Sequence, residues 1–96
     1  MPVVLIHQTQ MTQDQYNQII HAFSDGEGMN SPKDWPVSGL ISHVTGQGPD
    51  GTWWVVDVWE DEESVQSFGQ VLQGKLAELR IDVPPPVVFP AYKHVS

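Results

Sequence analysis

A histidine and an aspartate in neighbouring apolar segments are the residues best suited to chemistry. His43 lies in LISHVTG, residues 40 to 46, and Asp57 lies in TWWVVDVWE, residues 52 to 60. Both segments alternate like strands, and the Pro-Asp-Gly between them is a strong turn signal, so they should pair as an antiparallel hairpin. A histidine oriented by an aspartate is a general base that works near neutral pH. The pattern therefore indicates proton transfer, with His43 as the base and Asp57 as its orienting partner.

Two further polar residues lie near the C-terminus. Tyr92 and His94 share one side of the last apolar segment, VVFPAYKHV, and either could donate a hydrogen bond to a developing oxyanion. Removal of a proton from a phenol or an activated C–H group would begin a cofactor-free oxygenation or an aldol-type cyclisation. Contact with solvent or with a second subunit is an equally good interpretation of these two residues.

Structural roles compete with catalytic ones at these positions. Asp57 could accept hydrogen bonds from the backbone or from a neighbouring strand at a subunit interface, and an inward-facing histidine such as His43 is often structural. Trp53, Trp54 and Trp59 are most simply core and interface aromatics, because large rings dominate burial in a small domain. That role is compatible with forming the wall of a pocket.

Metal or cofactor binding is not predicted. The four histidines and Asp57 match no local ligand spacing of a zinc or iron site. The acidic run from Glu60 to Glu63 lacks the alternate-position ligands of a calcium loop and suits a solvated helix start. We therefore expect no metal and no organic cofactor.

The order of the elements predicts one α+β domain spanning residues 1–96. A strand at residues 3–9 precedes an amphipathic helix that begins with the capping box TQDQ. The hairpin follows, and Asp61 can cap a second helix that DVPPP ends. A last strand at residues 87–95 completes β-α-β-β-α-β, the ferredoxin-like arrangement of four antiparallel strands with two helices on one face.

The segment before the hairpin, residues 24–39, is rich in Gly, Pro, Ser and Asp and reads as a long surface loop. Loops of this length in compact domains are more often functional lids than simple connections. Met29 and Trp35 are two large apolar residues of this segment and could cover a site.

Alternation along the strands assigns side chains to two faces of the sheet. We assign Leu40, Ser42, Val44, Val56 and Val58 to the face that the helices cover. We expect the opposite, open face to form a cleft that contains His43, Asp57 and the candidate ligand-binding residues His7, Ile41, Trp53, Val55 and Trp59. Polar groups in an apolar, tryptophan-walled pocket are the usual anatomy of a small-molecule site.

The composition argues against two classes of partner. Twelve acidic residues against four Lys and Arg give a formal net charge of −8, which repels phosphate backbones and anionic lipid heads, so neither nucleic acid nor a membrane surface is expected. Without cysteine there is no disulfide, thiol nucleophile or thiolate ligand. No apolar run suits a signal peptide or a membrane span, and the expected location is the cytoplasm.

The motifs GLISHV, GTWWVVDVWED and VFPAY resemble the dimeric α+β barrel proteins, in particular the antibiotic-biosynthesis-monooxygenase-like group. The resemblance covers about residues 3–94 and implies a homodimer joined through the open sheet faces. It also implies a cleft for a small organic molecule. Relatives include cofactor-independent monooxygenases, polyketide cyclases and haem-degrading enzymes, but the haem-degrading group needs a histidine on the second helix, and residues 62–81 contain none. Close relatives carry Pro-x-His where this chain has Pro90, Ala91 and Tyr92.

The resemblance and the residues together favour a small-molecule-binding homodimer that acts like a cofactor-independent monooxygenase or a polyketide cyclase. The alternative is a ligand-binding or scaffold homodimer that uses the same cleft without chemistry. A third class, protein interaction through the acidic surface, has only the net charge in its favour. Replacement of His43 should abolish turnover in an enzyme but only weaken ligand binding in a scaffold.

Overall fold

A computed structural model of the protein describes residues 1–95 and confirms the ferredoxin-like α+β fold. The strands form one antiparallel sheet in the order β2-β3-β1-β4, and two helices pack on one of its faces. A short 3₁₀ helix, Pro32–Asp34, interrupts the loop before the second strand. The elements are β1 Val3–Thr9, α1 Gln13–Ser24, β2 Leu40–Gln47, β3 Trp53–Trp59, α2 Glu62–Leu79 and β4 Val87–Pro90.

Side-chain caps fix where both helices begin. The hydroxyl of Thr12 accepts a hydrogen bond from the backbone N–H of Gln15, and the Gln15 side chain accepts one from the N–H of Thr12, at 3.1 and 3.0 Å. This is the expected capping box. The carboxylate of Asp61 accepts from the N–H of Ser64 at 2.8 Å and opens α2 in the same way.

The assignment of the two sheet faces was wrong. Asp57 and Trp59, expected on the open face, are 2% and 0% exposed and lie under the helices, where the ring of Trp59 is 5.0 Å from that of Phe68. Val56 and Val58 therefore face the opposite, open side, and Val44 on that side is 65% exposed. Side chains alternate along β3 as expected. Because both sides of β3 are apolar, however, this alternation does not indicate which side the helices cover.

A bulge changes the expected register at the start of β2. Leu40 is paired with Trp59 and Ser42 with Val58, so Ile41 has no partner of its own on β3. The extra residue puts Leu40 and His43 on the same, helix-covered side, although strict alternation would separate them. Leu40 was therefore assigned to the correct face, whereas Ser42 and Val44 were not.

The last strand is shorter than predicted. β4 ends at Pro90, and the following backbone makes one more contact, in which the N–H of Ala91 donates to the carbonyl of Pro2 at 2.9 Å. Proline lacks a donor and ends or interrupts strand pairing, which explains the early end. Tyr92 and His94 consequently lie outside the sheet and are exposed.

Candidate functional site

The histidine and aspartate singled out by the sequence contact each other directly. His43 and Asp57 are opposite each other on β2 and β3, and Nδ1 of the imidazole is 2.5 Å from Oδ1 of the carboxylate. Asp57 is buried, so its charge needs this partner. Because the carboxylate can only accept, the Nδ1–H group donates to it, and Nε2 is the nitrogen available as an acceptor.

A tyrosine from the first helix completes a chain of three side chains. The hydroxyl of Tyr16 is 2.7 Å from Nε2 of His43, and in the tautomer set by Asp57 it donates its proton to that nitrogen. The Tyr16 ring stacks near the imidazole and packs against Trp53, with ring centres 6.1 and 5.6 Å away. We call Asp57, His43 and Tyr16 the relay.

The environment keeps the Tyr16 phenol protonated. Burial, together with the negative charge of Asp57, raises the pKa of Tyr16 to about 12. Near neutral pH its oxygen therefore carries a proton and can act as a hydrogen-bond donor. The relay in this state has a carboxylate at one end and a neutral phenol at the other.

The relay forms part of the wall of a largely apolar cavity of about 60 Å³ between the sheet and the two helices. We call it the relay cavity. Its wall includes Ile19 and Phe23 of α1, and Phe68 and Leu72 of α2. Apolar walls with a few convergent polar groups are typical of small-molecule sites. The cleft therefore lies on the helix-covered face, and its expected place on the open face is wrong.

The loop before β2 covers the imidazole side of the relay cavity. Trp35 packs its ring against His43 with the ring centres 4.7 Å apart, and Met29 also lines the cavity. The Asp34 carboxylate accepts from the backbone N–H groups of Asn30 and Ser31 at 3.0 and 3.1 Å and holds this part of the loop together. The two apolar residues that suggested a lid thus contact the site.

His7 of β1 is a second buried imidazole in the cavity wall. It is 8% exposed, and burial lowers its pKa, an effect that the negative charge of Asp57 partly opposes. His7 is therefore neutral at neutral pH, and it can offer one donor and one acceptor nitrogen.

The remaining candidates are divided between the cavity and other places. Val55 lines the cavity. Trp53 and Trp59 are buried behind its wall in the core, where neither indole N–H has a hydrogen-bond partner among the described residues. Ile41 is half-buried at the bulge, and the structure does not bring Tyr92 or His94 to the relay.

Tyr16 was missed as a polar participant because its position has a simpler explanation. It belongs to the apolar stripe of α1 with Ile19, Ile20 and Phe23, which predicts a core residue. A tyrosine in such a stripe must still find a partner for its hydroxyl, and this requirement was the available signal.

Metal and membrane features can be stated for the described part of the chain. Among residues 1–95, no three His, Cys, Asp or Glu side chains are grouped closely enough to bind a metal ion. Neither helix within that range has the length and apolar character needed to cross a bilayer.

Comparison with solved structures identifies the fold. A Chloroflexus aurantiacus protein, named provisionally as an antibiotic biosynthesis monooxygenase, is 18% identical with a TM-score of 0.63, covering 100% of this chain and 98% of its own. SnoaB, a cofactor-independent oxygenase from Streptomyces nogalater, is 12% identical with a TM-score of 0.64, covering 98% and 96%. Rv0793 from Mycobacterium tuberculosis is 12% identical with a TM-score of 0.63, covering 100% of both chains.

These structural similarities confirm the resemblance seen in the sequence. The chain has the fold of the antibiotic-biosynthesis-monooxygenase-like proteins, a fold that hosts several activities, and identities of 18% or less show the fold alone. No protein-family model matches the chain, and no curated protein sequence matches it.

Proposed function

We propose that the protein binds a small phenol, or a small molecule with an activated C–H group, in the relay cavity and takes a proton from it with His43. The observation that carries the proposal is the hydrogen-bonded relay, in which Asp57 orients the imidazole at 2.5 Å and directs Nε2 towards the Tyr16 hydroxyl at 2.7 Å. A partly buried base oriented in this way is positioned for proton transfer.

The proton transfer balances within the site. The O–H or activated C–H bond of the ligand breaks, its electron pair remains on the ligand, and its proton moves to Nε2 of His43. Asp57 stabilises the resulting imidazolium, as a carboxylate does in other oriented histidine pairs. The ligand anion can then react with dioxygen, as in a cofactor-free oxygenation, or close a ring by an aldol-type step.

Tyr16 is our proposed donor to the ligand oxyanion in place of Tyr92 or His94. Its hydroxyl already lies 2.7 Å from the base and stays protonated at neutral pH because its pKa is raised to about 12. The ligand first displaces the Tyr16 hydroxyl from Nε2, and once His43 has taken the proton the phenol donates to the ligand oxygen instead.

We further infer that two copies associate through the open faces of their sheets. Four large apolar side chains are exposed on this face: Val44, Trp54, Val87 and Phe89. In a single copy of the chain they would be in contact with water. Apolar surfaces of this kind typically mark interaction sites.

A binding protein without chemistry is the second candidate function. The observation in its favour is that Tyr16 occupies the acceptor nitrogen of His43, so the base is closed until a ligand displaces the hydroxyl. A ligand that bound beside Tyr16 would leave this hydrogen bond intact and undergo no proton transfer.

Exchange of an activated C–H group distinguishes the two functions. The wild-type protein should catalyse deuterium uptake at the α-carbon of 1-indanone in heavy water, followed by proton NMR. His43→Ala should lower the rate about 10²- to 10⁴-fold, the usual contribution of a general base. His21→Ala, which changes an exposed histidine on α1, is the matched control and should exchange at the wild-type rate. Exchange no faster than in buffer, with 1-indanone still bound, would support the binding protein.

A further inference from the structure

A second cavity adjoins the relay cavity on the helix-covered face. It has a volume of about 160 Å³ and lies between α2 and the segment that leads into β4. Pro84, Pro85 and Pro86 form one side, and Leu5 and Gly69 contribute to the others. Consecutive prolines restrict the backbone, so this wall is comparatively rigid. We call it the proline cavity.

The two cavities are separated by side chains rather than by backbone layers. They share lining residues from β1, from α2 and from the segment before β4, namely His7, Phe68, Leu72, Leu76 and Val83. Four of these are apolar side chains that can change rotamer at modest cost. A ligand in the relay cavity therefore has a short path into the proline cavity.

His7 is the polar residue of this shared wall. Its side chain is largely buried and lines both cavities. A ligand that passes between the cavities would meet the imidazole, which can offer it one donor and one acceptor nitrogen.

Resting on the proposed function, we propose that the proline cavity binds an apolar extension of the same ligand. The ligand class is then an elongated molecule with an acidic hydroxyl at one end, which contacts the relay, and a hydrocarbon chain or ring at the other. The cavity volumes agree with this placement of the two ends of the ligand. The proline cavity, which would bind the hydrocarbon end, has about 160 Å³, and the relay cavity has about 60 Å³. Its apolar surroundings favour a hydrocarbon occupant.

A series of probes that differ only in the extension tests this proposal. Phenol, 4-propylphenol and 4-hexylphenol can be titrated into the protein and followed by tryptophan fluorescence. Each methylene group that enters the proline cavity should tighten binding about threefold to fourfold, as expected for a buried CH₂. Phenol itself should occupy only the relay cavity.

A glycine pair in α2 supplies a matched control. Gly69 lines the proline cavity, and a Cβ there would meet no atom within 4 Å, so Gly69→Leu has room at its Cβ and should extend its side chain into the cavity. Gly74 has the same free space but is exposed and lines neither cavity. Leucine favours a helix more than glycine does, so both variants should fold. Circular dichroism checks this.

The expected result is a loss of chain-length dependence in one variant only. Gly69→Leu should bind phenol like the wild type but gain little from the propyl or hexyl chain, whereas Gly74→Leu should keep the full gain. Equal gains in both variants, or equal affinities of the wild type for all three phenols, would overturn the proline cavity as a binding site and leave the proposed function intact. Failure of every probe to bind would overturn both.

Discussion

In the proposed function, the Tyr16 hydroxyl and the acidic group of a ligand compete for one atom, Nε2 of His43. In the structure Tyr16 holds that position at 2.7 Å, while Asp57 holds the other nitrogen at 2.5 Å. A ligand that displaces the phenol meets a base whose orientation is already fixed, so little order has to be created at the moment of reaction. The same phenol is then free to donate to the ligand anion. At the residue scale, Tyr16 thus protects the base and completes the site.

His7 gives the site a dependence on pH that can be measured without a ligand. Burial lowers the pKa of His7 in the folded protein below its ordinary value of 6.5. At a pH between the folded-state pKa and 6.5, the unfolded chain therefore binds a proton at His7 that the folded protein does not. The free energy of unfolding should consequently fall as the pH drops below 6.5, and this part of the fall should be absent from His7→Gln.

Urea unfolding above and below pH 6.5 measures this difference. His21→Gln, which alters an exposed histidine, should follow the wild-type curve. Identical pH dependence in wild type and His7→Gln would contradict the lowered pKa of His7.

At the scale of elements, the junction between the loop, β2 and α2 determines where His43 lies. Gly39 ends the loop with φ +112°, and its carbonyl accepts from the N–H of Glu60 at 2.8 Å, which ties the loop to the end of β3. The bulge at Ile41 then turns His43 towards Asp57. A shift at this junction would therefore be transmitted to the relay.

Replacement of Gly39 by alanine should be strongly destabilising. A Cβ would lie 2.4 Å from Oγ and 2.8 Å from Cβ of Ser64, and the positive φ disfavours any side chain. Because the Ser64 Cβ is fixed to α2, the helix itself must move, and we expect a loss of about 2–4 kcal/mol. Urea unfolding measures this change.

Gly46→Ala is the matched control for that substitution. Gly46 lies near the other end of β2, and a Cβ there meets no atom within 4 Å, so the free energy of unfolding should change by less than about 1 kcal/mol. Equal effects of the two substitutions would refute the close approach of Gly39 to Ser64.

The element order and the His43–Asp57 contact followed from sequence because both depend on local signals. Turn residues, capping residues and alternation predict a hairpin, and a hairpin makes those two residues neighbours. The face on which they lie was not predictable in this way, since both sides of β3 are largely apolar: Trp54, Val56 and Val58 lie on one side, and Trp53, Val55, Asp57 and Trp59 lie on the other. Packing of α2 against the larger rings decided it, and that is a tertiary effect. Tyr16 was hidden for the same reason, because its role depends on a contact 27 residues away along the chain.

At the scale of the whole molecule, the open sheet face is the largest feature that the relay does not explain. The chain has a net charge of −8, yet the strand residues on this face include no Asp, Glu, Lys or Arg. Charged residues are typically depleted from the centre of an interface. The distribution of charge therefore supports our inference that this face meets a second copy.

Placing a charge on this face should separate the copies. We expect the wild type to be a dimer at micromolar concentration and Val44→Lys to be a monomer, because a two-fold interface would contain the buried lysine twice. Light scattering after gel filtration measures the mass. Val71→Lys changes an equally apolar, exposed residue on α2 and should leave the dimer unchanged. A monomeric wild type would contradict this arrangement.

The central claim, that His43 accepts a proton from a bound ligand, is tested most directly with 4-nitrophenol, whose colour reports its ionisation. The account predicts that the bound probe ionises at a lower pH in the wild-type protein than in His43→Ala. It also predicts an intermediate result in Asp57→Asn, because the amide no longer fixes the imidazole tautomer. Absorbance titration of the bound probe in the three proteins gives the answer. Ionisation at the same pH in wild type and His43→Ala would contradict the account, because His43 would then not be the proton acceptor.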